Sequence, residues 1–153
     1  MTMRERLSTA LKAAMKAKDA ERLSTLRLIN AAIKDRDIAA RGEGGSDTGV
    51  SDAEILAILG KMVKQRQESA RIYEEGGRLE LAEKELAEIR VIEEYLPRQL
   101  DAAEIEDAIV AAIAEVGAGS IRDMGKVMAV LKARHTGQMD FAAVGPSVKD
   151  RLG

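Results

Sequence analysis

Apolar residues recur at steps of three and four along most of the chain, which is the spacing of one face of an α-helix. The first such stripe is formed by Met3, Leu7, Ala10, Leu11, Ala14 and Met15, and the second by Leu23, Leu26, Ile29, Asn30 and Ile33. Thr2 and Glu5 have the spacing of a capping box at the start of the first stripe. No segment alternates polar and apolar residues over the length of a strand. The pattern therefore predicts an all-α protein that begins with two helices.

Two longer helices are predicted between residues 51 and 96. Ser51 and Glu54 form a second capping box, and the helix after it has an inner face made of Ile55, Leu59, Met62, Arg66, Ser69 or Ala70, and Tyr73. After Gly76 and Gly77, a helix over about 79–96 has an inner face of Ala82, Leu86, Ile89 and Ile92 and a solvated face of Glu80, Glu83, Glu85, Glu88, Glu93 and Glu94. Helices joined by a short Gly turn pack antiparallel, so residues 1–96 are predicted to form an N-terminal domain of about four helices.

Residues 41–50, with the sequence RGEGGSDTGV, are predicted to be a plain flexible connection. A phosphate-binding P-loop would need a Lys and a Ser or Thr directly after its glycines, and a strand before them. Neither feature is present.

A small tail domain of three helices is predicted over residues 101–153. Pro97 interrupts the helical pattern, which places the domain boundary at residues 96–100. The predicted N-caps of the three helices are Asp101, Ser120 and Asp140. Their inward positions are Ile105, Ile109, Ala112, Ile113 and Val116, then Met124, Val127, Met128 and Leu131, and then Phe141, Val144, Val148 and Leu152. Pro146 falls near the sixth position of the last helix and predicts a kink or a late start there.

The composition excludes several kinds of site. The chain has no Cys and a single His, which removes disulfides, thiolate nucleophiles, iron–sulfur clusters and His-rich or thiolate zinc sites. Aromatic residues make up only 2%, too few for a platform on which bases stack. No apolar run has the length of a signal peptide or a membrane span. We therefore expect a cytoplasmic protein with no metal, cofactor, membrane or DNA partner, in which any binding of RNA depends on shape and charge.

Charge is unevenly distributed along a chain whose net charge is only −2. Residues 1–41 carry +5, residues 42–100 carry −5 and residues 101–153 carry −2. The cations of the first two helices form a candidate basic surface for RNA: Lys12, Lys16, Arg22, Arg27, Lys34 and Arg36. The alternative is charge complementarity between packed halves of one bundle.

A catalytic site finds little support in these residues, and we assign no catalytic residue. Ser120, His135 and Asp140 are the nearest trio with the residue types of a hydrolytic triad, but Ser120 and Asp140 are better explained as helix caps. The glutamates of the fourth helix lack an apolar pocket that would raise a pKa. The Gly-rich turn at residues 117–120 precedes a helix and has the chemistry to bind a phosphate, although we favour an ordinary tight connection.

The strongest candidate for RNA contact is a cluster near the end of the second tail helix: Lys126, Lys132, Arg134 and His135. Lys126 and Lys132 leave the predicted apolar face of this helix, and the other two bunch at its end. The alternative is a structural one, because cations near a helix C-terminus are stabilised by the helix dipole by about 0.3–1 kcal/mol.

The sequence resembles the YqeY family, small bacterial proteins related to the tail of the B subunit of the tRNA-dependent amidotransferase. The resemblance is carried by residues 11–38 (LKAAMKAKDAERLSTLRLINAAIKDRDI), 51–100 and 120–140 (SIRDMGKVMAVLKARHTGQMD). Gly125, Lys126, Val127, Met128, Lys132 and Gly137 look like the Gly-x-Val-Met, Lys and Gly positions of the amidotransferase tail.

The resemblance implies a helical domain followed by a three-helix tail, and a role in handling tRNA. The amidotransferase tail helps to hold the tRNA elbow, while the kinase and transamidase chemistry lies in domains without a counterpart in this chain. The leading hypothesis is thus a non-catalytic tRNA-binding accessory protein. A second is a helical interaction module that docks onto an aminoacyl-tRNA synthetase or an amidotransferase. The third is a carbon–nitrogen ligase with glutamine as amide donor, a label that we regard as inherited from the family.

Overall fold

The computed structural model describes residues 1–42 and 49–153, which are helical almost throughout. The α-helices are α1 (Met3–Ala17), α2 (Ala20–Gly42), α3 (Asp52–Glu75), α4 (Leu79–Glu93), α5 (Ala102–Val116), α6 (Met124–Arg134) and α7 (Phe141–Leu152), with a 3₁₀ turn at Ile121–Asp123. The described residues contain no strand. The predicted all-α class is confirmed. The chain divides into two compact units, Met1–Leu96 and Pro97–Gly153.

Side-chain caps begin several of the helices where the sequence predicted them. Thr2 and Ser51 each accept a hydrogen bond from the backbone N–H three residues later. Asp101 makes the complete, reciprocal capping box with Glu104. Ser120 differs from expectation, because it accepts from the Arg122 N–H at the 3₁₀ turn, and α6 begins only at Met124.

Two predicted helix ends were wrong. α2 continues to Gly42, so Arg41 belongs to the helix and not to the predicted flexible connection at residues 41–50. Residues 43–48 of that connection lie outside the described residues. Residues 38–41 are Ile, Ala, Ala and Arg, most of which are good helix formers. α4 ends at Glu93 rather than near residue 96 because Pro97 restricts the residue before it, and the last turn tightens into bonds of the 3₁₀ type. α7 begins at Phe141 after the predicted cap Asp140, and Pro146 lies inside the helix, so of the two predicted alternatives the late start does not occur.

α1 and α2 form an antiparallel hairpin whose inner faces build the core of the first unit. Lys18, with a φ of 55°, and Asp19 make the turn, and Arg4 near the start of α1 reaches Asp37 near the end of α2. The core residues of this unit are Met3, Leu7, Ala14, Leu26, Ile29, Ile33, Val50, Ile55, Leu59, Met62, Val91, Ile92 and Tyr95. Thr25 is also buried, and its hydroxyl donates to the Glu21 carbonyl, a polar core position that periodicity did not predict.

α3 and α4 pack against each other along their length, and an ion pair lies between them. The Arg66 Nε atom lies 2.8 Å from Glu88 Oε2, and both side chains are 15% exposed. Glu88 was predicted on a solvated face, which is wrong: it pairs with an arginine that the stripe of the third helix had placed inward. Small residues at the packing positions, Ala70 and Ala82, allow the close approach of the two helices.

The second unit has its own core, formed by Ile109, Ala112, Val127, Leu131, Met139, Val144 and Val148. Residues 97–100 pack onto the loop after α6, where the Leu100 N–H donates to the Gln138 carbonyl. The Gln99 side chain donates to the Gly137 carbonyl at 2.7 Å. The segment that follows Pro97 is therefore tied into this unit by hydrogen bonds to the backbone carbonyls of Gly137 and Gln138.

Candidate nucleic-acid interface

Lys126 and Lys132 are exposed on α6, as the sequence predicted. Neither forms a salt bridge with any residue in 1–42 or 49–153. The inward face of α6 is made by Val127 and Leu131, which belong to the core of the second unit. The two ammonium groups are thus held on a packed helix and are available to an anionic ligand.

The four candidate residues do not share one face of α6. Successive residues of an α-helix are rotated by about 100°, so Lys126 and Arg134 lie about 80° apart, whereas Lys132 and Arg134 point to nearly opposite sides. Lys126 is about 120° from Lys132. The cations therefore wrap around the exposed side of the helix, and a ligand that contacts all of them must be broader than a single phosphate.

Arg134 has a partner on the neighbouring helix. Its guanidinium forms a salt bridge with Glu115 of α5, and both side chains are about half exposed. A phosphate that binds Arg134 must therefore compete with this carboxylate. Exposed ion pairs contribute only about 0–1 kcal/mol, so the pair is easily exchanged.

His135 is half-buried and sits apart from the two lysines. It is the C-cap residue of α6, and its Nδ1 atom lies 3.0 Å from Gln138 Oε1. It lines an open groove of about 340 Å³ together with Leu100, Glu104, Asp107 and Ala108. The two carboxylates of this groove disfavour a phosphate beside the imidazole, so His135 is the weakest of the four candidates.

Glu104 fixes the start of α5 and is held in its ionised form. Both of its carboxylate oxygens accept from the Arg98 guanidinium at 2.7 Å, and one also accepts from the Asp101 N–H. The Arg98 hydrogen bonds, with help from the Asp101 backbone, lower the pKa of Glu104 to about 2. The stabilising contribution of this carboxylate is therefore present above its unfolded pKa, near 4.5, and is lost as the pH falls toward 2.

This linkage predicts the pH dependence of a Glu104→Gln variant. At pH 6 the variant is expected to unfold at a lower temperature than the wild type, because it lacks the charge-assisted hydrogen bonds to Arg98. The difference is expected to shrink between pH 4.5 and 2, as the wild-type carboxyl takes up a proton. Circular dichroism melts of both proteins at several pH values measure it. A difference that stays constant down to pH 2 would contradict the assignment.

The Gly-rich turn before α6 is already occupied by an acidic side chain. The Gly119 N–H donates to Asp123 Oδ2 at 3.1 Å, and the Ser120 hydroxyl accepts from the Arg122 N–H. A phosphate would meet a carboxylate in this turn. The Ser120 oxygen caps the 3₁₀ turn, and the Asp140 oxygen caps α7 by accepting from the Ala142 N–H.

The structure separates the basic residues of the first two helices into two groups. Arg22 pairs with Glu94 at 2.8 Å and with Asp19, and Glu94 raises the pKa of the Arg22 guanidinium. Arg36 lies 3.9 Å from Glu54. Lys12, Lys16, Arg27 and Lys34 form no salt bridge with any described residue. Charge complementarity within the bundle thus neutralises part of the basic surface and leaves four cations exposed.

A groove between α1 and α2 is a feature that the sequence did not reveal. Its volume is about 240 Å³, and its lining residues are Arg4, Leu7, Ser8, Leu11, Asn30, Ile33, Lys34 and Asp37. One end is closed by Asp37, whose Oδ1 atom accepts from Arg4 at 2.7 Å and from the Val50 N–H at 2.8 Å. These two donors lower the pKa of the Asp37 carboxyl. Residues about 20 to 30 positions apart build the groove, so only the packing of the hairpin brings them together.

Within residues 1–42 and 49–153, no cluster of three or more His, Asp or Glu side chains is arranged to hold a metal ion. None of the helices in this part of the chain is both long enough and apolar enough to cross a membrane.

Comparison with known proteins relates nearly the whole chain to one family. The family model described as Yqey-like protein matches residues 4–152. Two relatives are named "Altered inheritance of mitochondria protein 41, mitochondrial". The one from Clavispora lusitaniae is 40% identical over 90 residues, which is 59% of this chain and 49% of that protein. The one from Lachancea thermotolerans is 33% identical over 100 residues, or 65% of this chain and 51% of that protein.

The chain spans about half the length of these curated relatives. Both come from yeasts, so they give no support to a bacterial source, which the resemblance had led us to expect. The match of the family model includes both compact units, from α1 to the end of α7. The chain therefore belongs to the YqeY-like family.

Proposed function

We propose that this protein is a non-catalytic accessory protein that binds tRNA through its second unit, with α6 against the phosphates of the folded RNA. The observation that carries the proposal is the pair of exposed lysines, Lys126 and Lys132, which no carboxylate of the described chain neutralises. Phosphate contacts position RNA-binding proteins, and recognition of a folded RNA by shape needs no aromatic platform.

Membership of the family supports the same function. The positions around Lys126 and Lys132 resemble the tail of the amidotransferase B subunit, whose role is to hold tRNA. The kinase and transamidase domains of that enzyme have no counterpart in this chain, so we propose binding rather than amide ligation. The relatives carry the word mitochondrial in their names. We propose that this chain acts in the compartment where its tRNA is aminoacylated, either the cytoplasm or the mitochondrion.

The proposal is tested by identifying the RNA that co-purifies with the tagged protein. Lysates are washed at low and at moderate salt, and the retained RNA is sequenced. Enrichment of tRNA over ribosomal RNA, which falls as salt rises, is the expected result, because each neutralised phosphate releases counterions. Retention of a protein partner after nuclease treatment, with no enrichment of tRNA at either salt concentration, would show that the tRNA proposal is wrong.

Removal of the carboxylate that holds Arg134 is expected to strengthen tRNA binding. Glu115→Gln breaks the only salt bridge that Arg134 makes within the described residues, and so frees its guanidinium for a phosphate. We expect a gain in affinity of about two- to fivefold, equivalent to the strength of an exposed ion pair. Filter binding or fluorescence anisotropy with purified tRNA measures it.

The matched control is Glu106→Gln, which breaks the Arg151–Glu106 pair and also removes one negative charge from α5. Equal gains in the two variants would mean that net charge alone is responsible. A specific gain in Glu115→Gln would identify Arg134 as a contact residue.

A further inference from the structure

The groove between α1 and α2 is lined by both apolar and polar side chains, and no described residue covers it. Leu7 and Ile33 are buried beneath it, Leu11 is half-buried, and Met15 lies one turn beyond Leu11 with 53% of its surface exposed. From Arg4 to Met15 this side of α1 extends over roughly 17 Å. The groove itself runs from Arg4 to Leu11, about two turns of α1, and Met15 extends its apolar side by one further turn.

Lys34 lines the groove, and three more cations, Lys12, Lys16 and Arg27, lie beside it along the two helices. Lys12 and Lys16 follow Ser8 at steps of one turn along α1, and Arg27 precedes Lys34 by two turns along α2. None of these four forms a salt bridge in the described part of the chain. In the antiparallel hairpin, Leu11 of α1 lies opposite Asn30 of α2. Along the axis of the hairpin, Lys12 therefore lies between Arg27 and Lys34.

Two polar side chains in the groove are uncommitted. Asn30 is half-buried in the wall formed by α2, Ser8 is exposed on the wall formed by α1, and neither side chain hydrogen bonds to a described residue. An amide in this position has both donors and acceptors to offer. The groove thus combines an apolar strip, two polar side chains in its walls and cations along both sides, with the Arg4–Asp37 ion pair at one end.

These features fit an amphipathic helix better than an RNA base. The groove contains no aromatic side chain on which a base could stack. The charged phosphates of RNA gain nothing from contact with apolar side chains. A helix with leucine-type residues on one face and carboxylates on both flanks matches the apolar strip and the cations at once, as in other helix-in-groove complexes. Exposed methionine is also common on surfaces that accept helical ligands, because its side chain adapts to their shape.

We infer that the groove between α1 and α2 is a docking site for an acidic amphipathic helix of a partner protein. The apolar face of that helix lies on Leu11 and Met15, and its carboxylates pair with Lys12 and Lys34. Asn30 takes one polar group of the helix. This site is separate from α6, so it does not depend on the proposed binding of tRNA.

The inference is tested with the full chain and a synthetic peptide of about 14 residues, long enough to span about 20 Å as a helix. The peptide carries leucines on one face and glutamates on both flanks, and a second peptide contains the same residues in an order without this pattern. Fluorescence anisotropy measures the affinity of each. Because the chain has no Cys, a photocrosslinker placed on Ser8→Cys reports contact in the groove, with Lys61→Cys as the control position.

We expect the patterned peptide to bind and to crosslink at position 8. Lys12→Glu plus Lys34→Glu is expected to weaken binding about tenfold, because attraction becomes repulsion on both sides of the groove. The matched reversal Lys61→Glu plus Lys84→Glu, on exposed residues of α3 and α4, is expected to change it less than about twofold. Binding of tRNA by the groove variant is measured alongside, because Lys12 and Lys34 also belong to the candidate basic surface for RNA.

Other outcomes overturn the inference. Equal binding of the two peptides, or equal losses in the two reversals, would mean diffuse electrostatic attraction. A tenfold loss of tRNA binding in the groove variant would identify RNA as the occupant. Salt-sensitive self-association that the groove variant abolishes would identify a second copy of the chain. If neither the groove variant nor Lys126→Ala plus Lys132→Ala loses tRNA binding, while the patterned peptide still binds, the tRNA proposal is wrong and the docking site stands.

Discussion

Leu59→Ala is expected to lower the free energy of unfolding of the first unit by about 3–4 kcal/mol. Leu59 is 0% exposed and belongs to the core that α1, α2, α3 and α4 share. Truncation removes the transfer free energy of the side chain and leaves a cavity that the neighbouring helices fill only in part. A domain of this size is stable by about 5–15 kcal/mol, so the loss is a large fraction of the total. Urea unfolding followed by circular dichroism measures it.

The matched control is Ile72→Ala, on the exposed side of α3, where the side chain is 54% exposed. This change is expected to cost less than about 0.5 kcal/mol. A second comparison, Ile109→Ala, removes a fully buried side chain from the second unit. If the units fold separately, Leu59→Ala and Ile109→Ala will each shift a different part of the unfolding curve. A single transition that both variants shift equally would show that the two units unfold together.

The double change Lys126→Ala plus Lys132→Ala is expected to flatten the salt dependence of tRNA binding. Each lost phosphate contact reduces the slope of log affinity against log salt by roughly 0.7–0.9, so the pair accounts for up to about 1.4–1.8. Over a fourfold rise in salt, this corresponds to roughly a tenfold smaller loss of affinity. Both residues are exposed, so folding should change by less than about 0.5 kcal/mol. Anisotropy titrations at several salt concentrations measure the slope.

Lys12→Ala plus Lys16→Ala is the control, because it also removes two exposed cations, but from α1. We expect this variant to retain most of its tRNA affinity. Equal losses in the two doubles would mean that RNA contacts the protein through diffuse charge. If neither variant loses affinity while the protein still binds a synthetase, the second unit is a surface for protein docking and the tRNA proposal is wrong.

Periodicity predicted the helices well because each apolar stripe is a local property of the chain. Ile55, Leu59 and Met62 were expected to face inward and are buried. The cap at Asp101 was also local, since its partner Glu104 is only three residues away. Errors arose at helix ends, because the residues just outside a helix determine where it begins or ends. The end of α4 depends on Pro97, and the start of α6 depends on a 3₁₀ turn before it.

The pairing of charged side chains, in contrast, could not be predicted from local sequence patterns. The sequence shows that residues 1–41 are basic, but not which of their cations remain available. Arg22 is neutralised by Glu94, more than seventy positions away, and Arg134 by Glu115 of the preceding helix. Glu88, predicted to be solvated, instead pairs with Arg66 between two helices. Such pairs form between residues that no local pattern connects.

The sequence by itself determined the helical class, most of the caps, the buried stripes and the lack of thiols and aromatic platforms, because all of these depend on residue type and short spacing. Only the tertiary structure decided which basic residues stay unpaired, and that Leu11, Asn30 and Lys34 line one groove. The physical reason is that Coulomb and hydrogen-bond partners are selected by distance in space, and helix packing brings together residues that are far apart along the chain.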